Sequence, residues 1–282
     1  MGAGTLCAIA VLTGTFRHPA LSMDVIWLAA AAVVVFWVVV YRGASWSERL
    51  GLRIMYLLTA QSMLFFVFNQ QIGTSLTLFA ARCVNPDFYV LGQRIFSMLP
   101  GQFQAFNTIW LLTASPVMSW LYARMDRAGY YVALPTKFML GFGCLALSFL
   151  TWWLSDITSG GAAVSPWWMV VAYGLFSIGE LLVSALGLAA VARYAPRAKS
   201  GLLMGSFFVT NGVAMYLGSM VAALGPGQGS VQMVSMADNL VAYGHLFRGL
   251  FIFACIGIVA FAAMWPLAGR WDEQYRTMVP VR

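Results

Sequence analysis

Long apolar runs separated by short charged or Gly/Pro-rich breaks dominate this chain. A helix needs about 20 predominantly apolar residues to cross the hydrocarbon of a bilayer. Seven runs qualify: Val25 to Tyr41, Ile54 to Ala81, Leu99 to Ala123, Phe138 to Ser155, Trp167 to Ala192, Leu202 to Leu224 and His245 to Gly269. An eighth, Met1 to Phe16, is short, and it lacks the basic start and small-residue cleavage site of a signal peptide. Ile54 to Ala81 contains no charged residue and is longer than a vertical crossing requires, so it should tilt or bend, with Gly73 as the natural place.

Composition agrees with the pattern. At 282 residues, 61% hydrophobic and 9% charged, the chain has too little charge to coat a soluble domain, which carries about 25%. A large extramembrane catalytic domain is excluded. The net charge of +7 does not point to nucleic acid, because it is distributed as loops of a membrane protein are. Alternating the seven spans puts Arg42, Arg49, Arg53, Arg124, Arg127, Lys137, Arg193, Arg197, Lys199, Arg270, Arg276 and Arg282 on one face. The other receives only Arg17, Arg82, Arg94 and Arg248. The positive-inside rule then predicts a cytoplasmic carboxy terminus. Trp152, Trp153, Trp167, Trp168 and Trp265 fall at span ends, where interfacial anchors are expected. Cys7, Cys83, Cys144 and Cys255 are scattered singly, without metal-site spacing, and read as packing residues.

Inside the spans, Glu180 is the charged residue nearest a midpoint. A carboxylate there costs about 2.5–3.5 kcal/mol to insert, so it should face a cavity, pair with a cation or carry a proton. Tyr173, Ser177, Glu180 and Ser184 share one helical stripe. Gln70, Thr210 and Asn211 fall at similar depth on other spans, and Asn107 somewhat further out. Interhelical hydrogen bonding explains any one of these amides and hydroxyls. Their common depth with Glu180 favours a shared polar cavity, the usual place of a transporter site. Gly201-x-x-x-Gly205 permits close helix approach but carries no function by itself. No His lies beside a Ser or Cys at membrane depth, which argues against an intramembrane hydrolase or acyl transferase.

Several segments resemble the proton-dependent oligopeptide transporters, a branch of the major facilitator superfamily. Ser177-Ile-Gly-Glu-Leu-Leu-Val-Ser184, followed by Ala195-Pro196, is similar to the tenth-helix signature of that family. Gln71-Ile-Gly-Thr-Ser-Leu-Thr-Leu-Phe79 resembles its seventh helix, and Gln102-Phe-Gln-Ala-Phe-Asn107 with Ser115-Pro116 its eighth. Pro135-Thr-Lys-Phe138 with Gly141 resembles the start of the ninth, and Met204-Gly-Ser-Phe-Phe208 the eleventh. The bacterial dipeptide and tripeptide permeases look nearest.

The resemblance implies an all-α integral membrane fold: a six-helix carboxy-terminal half over residues 45–282, preceded over 1–44 by a linker hairpin with a shortened first helix. It implies a proton-coupled symporter of di- and tripeptides in the bacterial inner membrane, with no enzymatic activity, no metal and no cofactor besides the coupling proton. Glu180 would bind the peptide amino terminus and is the proton-coupling candidate; Asn107 would hydrogen-bond the peptide backbone. Gln70, Tyr173, Ser184, Phe207 and Thr210 would line the pocket. Gln70 stands where the family often has Glu, Phe207 where a Trp is common, Ala185 for a Pro after Ser184, and Thr108 for a Pro after Asn107. The family's amino-terminal half has no counterpart in the sequence. Alternating access needs both halves, so the expected partners are the lipid bilayer, the peptide, and a separately encoded amino-terminal half or a second copy. The alternative is a non-transporting truncated subunit or scaffold.

Overall fold

The computed structural model describes residues 19–129, 134–225 and 235–278; the short apolar stretch Met1 to Phe16 lies outside them. Among these residues, seven long helices match the seven predicted spans. They are α1 (Pro19–Arg42), α2 (Trp46–Gln71), which continues through a π-helical turn (Ile72–Leu76) into α3 (Thr77–Cys83), α4 (Ala105–Arg127), α5 (Leu134–Ser159), α6 (Trp167–Tyr194), α7 (Ser200–Ala223) and α8 (Met236–Met278). Six are long and apolar enough to cross a membrane; α4, which carries Asn107, Thr108, Thr113, Ser115 and Ser119, is the exception. Helices are the expected form here because a helix satisfies its backbone groups internally, where no water is available.

Local chemistry sets the helix ends. At the start of α2, Glu48 Oε2 accepts the Ser45 backbone N–H at 2.9 Å, one arm of a capping box. α6 stops before Ala195-Pro196, because the residue ahead of a proline is driven out of the helical region. At Gly73, where the sequence leads one to expect freedom to bend, the helix carries a π turn, in which Thr77 Oγ1 donates to Ile72 O at 2.9 Å, five residues back.

The third predicted span starts later than expected. Leu99 is not helical; after α3 the chain makes an antiparallel hairpin, β1 (Asp87–Val90) and β2 (Gln93–Ser97), then a 3₁₀ turn at Pro100–Gln104, and only then α4. Leu91 (φ 49) and Gly92 (φ 81) form the hairpin's two-residue turn, the primed geometry that suits strand twist. Phe88 stacks on Phe96 and is buried against Phe103, Phe106 and Trp167, which fixes the hairpin to the bundle end.

α5 packs on α6 and α8, and α2 on α6, α7 and α8. The core between them is largely aromatic: Phe65, Phe68, Phe142, Phe149, Trp152, Tyr173, Phe176 and Phe247 are all buried. Trp152 is therefore a core residue rather than an interfacial anchor, enclosed by Phe149, Tyr173, Phe176 and Phe247. Trp167, by contrast, is 42% exposed at its helix start. α1 leans on α7 and α2 through Trp37, whose indole donates to Ser206 Oγ at 2.9 Å and stacks on Tyr56 at 4.8 Å. α4 buries no residue and packs chiefly on α6.

Candidate functional site

Where α4 crosses α6, three predicted residues meet. Asn107 Nδ2 donates to Glu180 Oε2 at 3.1 Å, and the Ser177 hydroxyl donates to Asn107 Oδ1 at 2.6 Å. Ser177 thereby fixes which way the amide points, and the amide presents its N–H to the carboxylate. The crossing is close because Gly174 accepts the Trp110 ring, which a Cβ would meet at 2.9 Å, while Trp110 Nε1 donates to Val170 O at 3.0 Å. From Glu180 the surface opens into a cavity of about 470 Å3, lined by Leu111, Leu112, Ser115, Pro116, Glu180, Leu181 and Ser184. Glu180 itself is half-buried at the wall.

This geometry gives a fixed carboxylate at the side of a largely apolar, laterally open cleft. It suits recognition of a cationic amine by charge and a polar backbone by the neighbouring amide and hydroxyl. Among the described residues no group of three or more His, Cys, Asp or Glu is placed to hold a metal.

The other predicted site residues do not line this cleft. Tyr173 is buried against Trp152, its hydroxyl without a hydrogen-bond partner among the described residues. Gln70 lies against α7, where a Cβ on Gly218 would come within 2.6 Å of Gln70 Cβ. Its neighbour Gln71 makes the interhelical bond, donating to Gly218 O at 2.8 Å. Phe207 packs on Gly187 at the α6–α7 contact. Thr210 faces a small cleft beside α1, lined by Ala30, Val33, Val34, Trp37, Met63 and Val213. Of the expected set, Glu180 and Ser184 line the cleft, and Asn107, oriented by Ser177, is bonded to Glu180 beside it. Leu111 and Ser115 were not singled out as a wall, although they continue the face of Asn107 at i+4 and i+8 and could have been found that way.

Residues 20–229 match the POT family. The chain belongs to that family. It is 32% identical over 255 residues to dipeptide and tripeptide permease B of Edwardsiella piscicida, covering 88% of this chain and 50% of that protein. It is 32% identical to dipeptide and tripeptide permease A of Escherichia coli K12, covering 86% of this chain and 47% of that one. Among solved structures it superposes on tetrameric PepTSo2 with a TM-score of 0.79 at 33% identity, covering 95% of this chain and 54% of that one. A bacterial homologue of human drug peptide transporters gives 0.77 at the same identity and coverage of this chain. The fold is thus that of a POT member of the major facilitator superfamily, a multi-pass membrane protein, and the chain spans about half the length of the relatives it matches.

Proposed function

We propose that this chain supplies the carboxy-terminal half of the cavity of a proton-coupled di- and tripeptide symporter in the bacterial inner membrane. Residues 45–282 form that half and 1–44 the linker hairpin. The observation that carries the reading is Glu180, a carboxylate with no salt-bridge partner among the described residues, held at the wall of the open cleft by Asn107, which Ser177 orients in turn. Glu180 pairs with the ammonium of the peptide amino terminus and carries the coupling proton when the peptide is absent. Asn107 contacts the peptide backbone, and Ser184, Phe207, Gln70, Thr210 and Tyr173 contribute further lining once the cavity is closed. The carboxy terminus is cytoplasmic, as the basic loops indicate.

An amino-terminal six-helix half, or a second copy, closes the cleft against α4. The permeases named above are about twice as long as this chain, and α4 buries none of its residues here. Uptake of a labelled dipeptide into proteoliposomes under an imposed pH gradient tests the proposal. The chain together with the amino-terminal half of a permease should transport; Glu180→Gln in that pair should reduce uptake at least about 30-fold, as removal of an essential charged partner does. Transport that survives Glu180→Gln would overturn the assigned role, and failure of every pairing would favour a non-transporting scaffold.

A further inference from the structure

The β1–β2 hairpin turns most of its large apolar residues outward. Leu91 at the tip is fully exposed, Ile95 and Leu99 are more than half exposed, and Tyr89, Val90 and Phe96 nearly half. Leu91 is also the only non-glycine among the described residues with a positive φ, 49°, a conformation in which an L side chain crowds the following carbonyl. In water Asn or Gly would make this turn at less cost. A leucine that is both strained and uncovered by protein is explained when another medium covers it.

Three observations say which medium. Successive residues of a strand point to opposite faces, and Tyr89 with Val90, like Ile95 with Phe96, are successive and exposed, so the ribbon is apolar on both faces as well as at its tip. A protein partner would cover one face, whereas a surrounding medium covers all of them. Second, the height of the ribbon is fixed. Trp167, the first residue of the α6 span, donates Nε1 to Tyr89 O at 3.1 Å, and β1 begins just after Cys83, the last residue of the span that starts at Trp46. The ribbon therefore lies where two spans end, the level at which Trp and Tyr collect in membrane proteins. Third, its two charges, Asp87 and Arg94, neutralise each other at 3.0 Å. The hydrocarbon itself is closed to the ribbon, because the outer edges of two strands carry backbone N–H and C=O groups that need partners. Between water and hydrocarbon, the headgroup layer satisfies both the edges and the apolar side chains.

We propose that the β1–β2 hairpin is a membrane-interface anchor. Its strands lie among the phospholipid headgroups of the leaflet at this end of the bundle, with Val90, Leu91 and Ile95 reaching the upper acyl chains. The proposal is independent of the peptide site.

Photocrosslinking tests it. The full 282-residue chain, with a benzophenone side chain in place of Leu91 or of Ile95, is reconstituted into phosphatidylcholine liposomes, illuminated, digested and read by mass spectrometry. Both positions are exposed, and Gly92 beside Leu91 has open space around it, so the probe displaces no packing. Hairpin peptides from either variant should gain the mass of one phospholipid, and should still do so when the amino-terminal half of a permease is reconstituted with the chain. The same probe at Ser235 should gain none, because that residue precedes α8 and stands about 15 Å along the helix axis beyond the apolar run that begins at His245. No lipid adduct at either hairpin position, an equal adduct at position 235, or transfer of the adduct from lipid to the amino-terminal half when that half is present would each overturn the anchor.

Discussion

Gly179, next to Glu180, lies so close to α5 that an added Cβ would come within 2.8 Å of Gly141 O, and a Cβ on Gly141 would meet Val183 Cγ2 at 2.6 Å. Backbone on one side of that contact has no means of yielding, so the α5–α6 spacing at the level of the carboxylate depends on two missing side chains. Gly179→Ala should lower stability by about 1–3 kcal/mol, the usual cost of overpacking. Gly205→Ala should do no harm, because nothing lies within 4 Å of it and alanine is the better helix former by about 0.5–1 kcal/mol. Thermal unfolding of both variants in detergent checks the pair. The sequence makes Gly201-x-x-x-Gly205 look like the packing contact, since the spacing is right, but spacing does not say which way a helix face turns. Glu180 was legible for the opposite reason: a charge in an apolar run demands an explanation wherever it points. Tyr173 and Trp152 were not, because an aromatic ring with one polar atom fits a cavity wall, an interface or a core equally well on paper.

Among the elements, α4 departs furthest from the pattern of the others. The apolar pattern found every long helix but fell eight residues short of the start of α2 and nine short of each end of α8; only at the start of α4 did it run well outside the helix, across the 3₁₀ turn that follows the hairpin. The hairpin itself falls in the break between the expected spans; the misplaced residues are Leu99 to Gln104, where Leu99 and Phe103 extend the apolar run into the 3₁₀ turn. Once formed, α4 is attached through Trp110, the Asn107–Glu180 bond and contacts of the 3₁₀ turn with α3, and it buries nothing. Few buried contacts mean a low free energy of local opening. Amide exchange in the isolated chain should therefore be faster through Asn107 to Trp120 than through Phe142 to Trp152, and the difference should shrink when an amino-terminal half is present. Equal protection of α4 in both states would contradict the assignment of its outer face to a partner half.

For the whole molecule, the unequal distribution of Arg and Lys, the number of long helices and the family signature were all readable before any coordinates. The grouping of side chains into one cleft was not, because depth along each span ignores rotation about it: Thr210 has Glu180's depth and faces α1 instead. The open cleft also bears on the life of the protein in the cell. In a bilayer without a second half, lipid tails lie against the mouth that contains Glu180, and even with its Asn107 bond and a bound proton part of the cost of inserting that group is left uncompensated. That is enough to shift how often α6 sits fully in the membrane, and incompletely inserted helices are what membrane proteases remove. The solitary chain should consequently be short-lived, and either an amino-terminal half or Glu180→Gln should lengthen its half-life in a pulse-chase. A half-life that shifts in this way would make the residue proposed to handle the substrate a sensor of assembly as well, penalising a half without its complement.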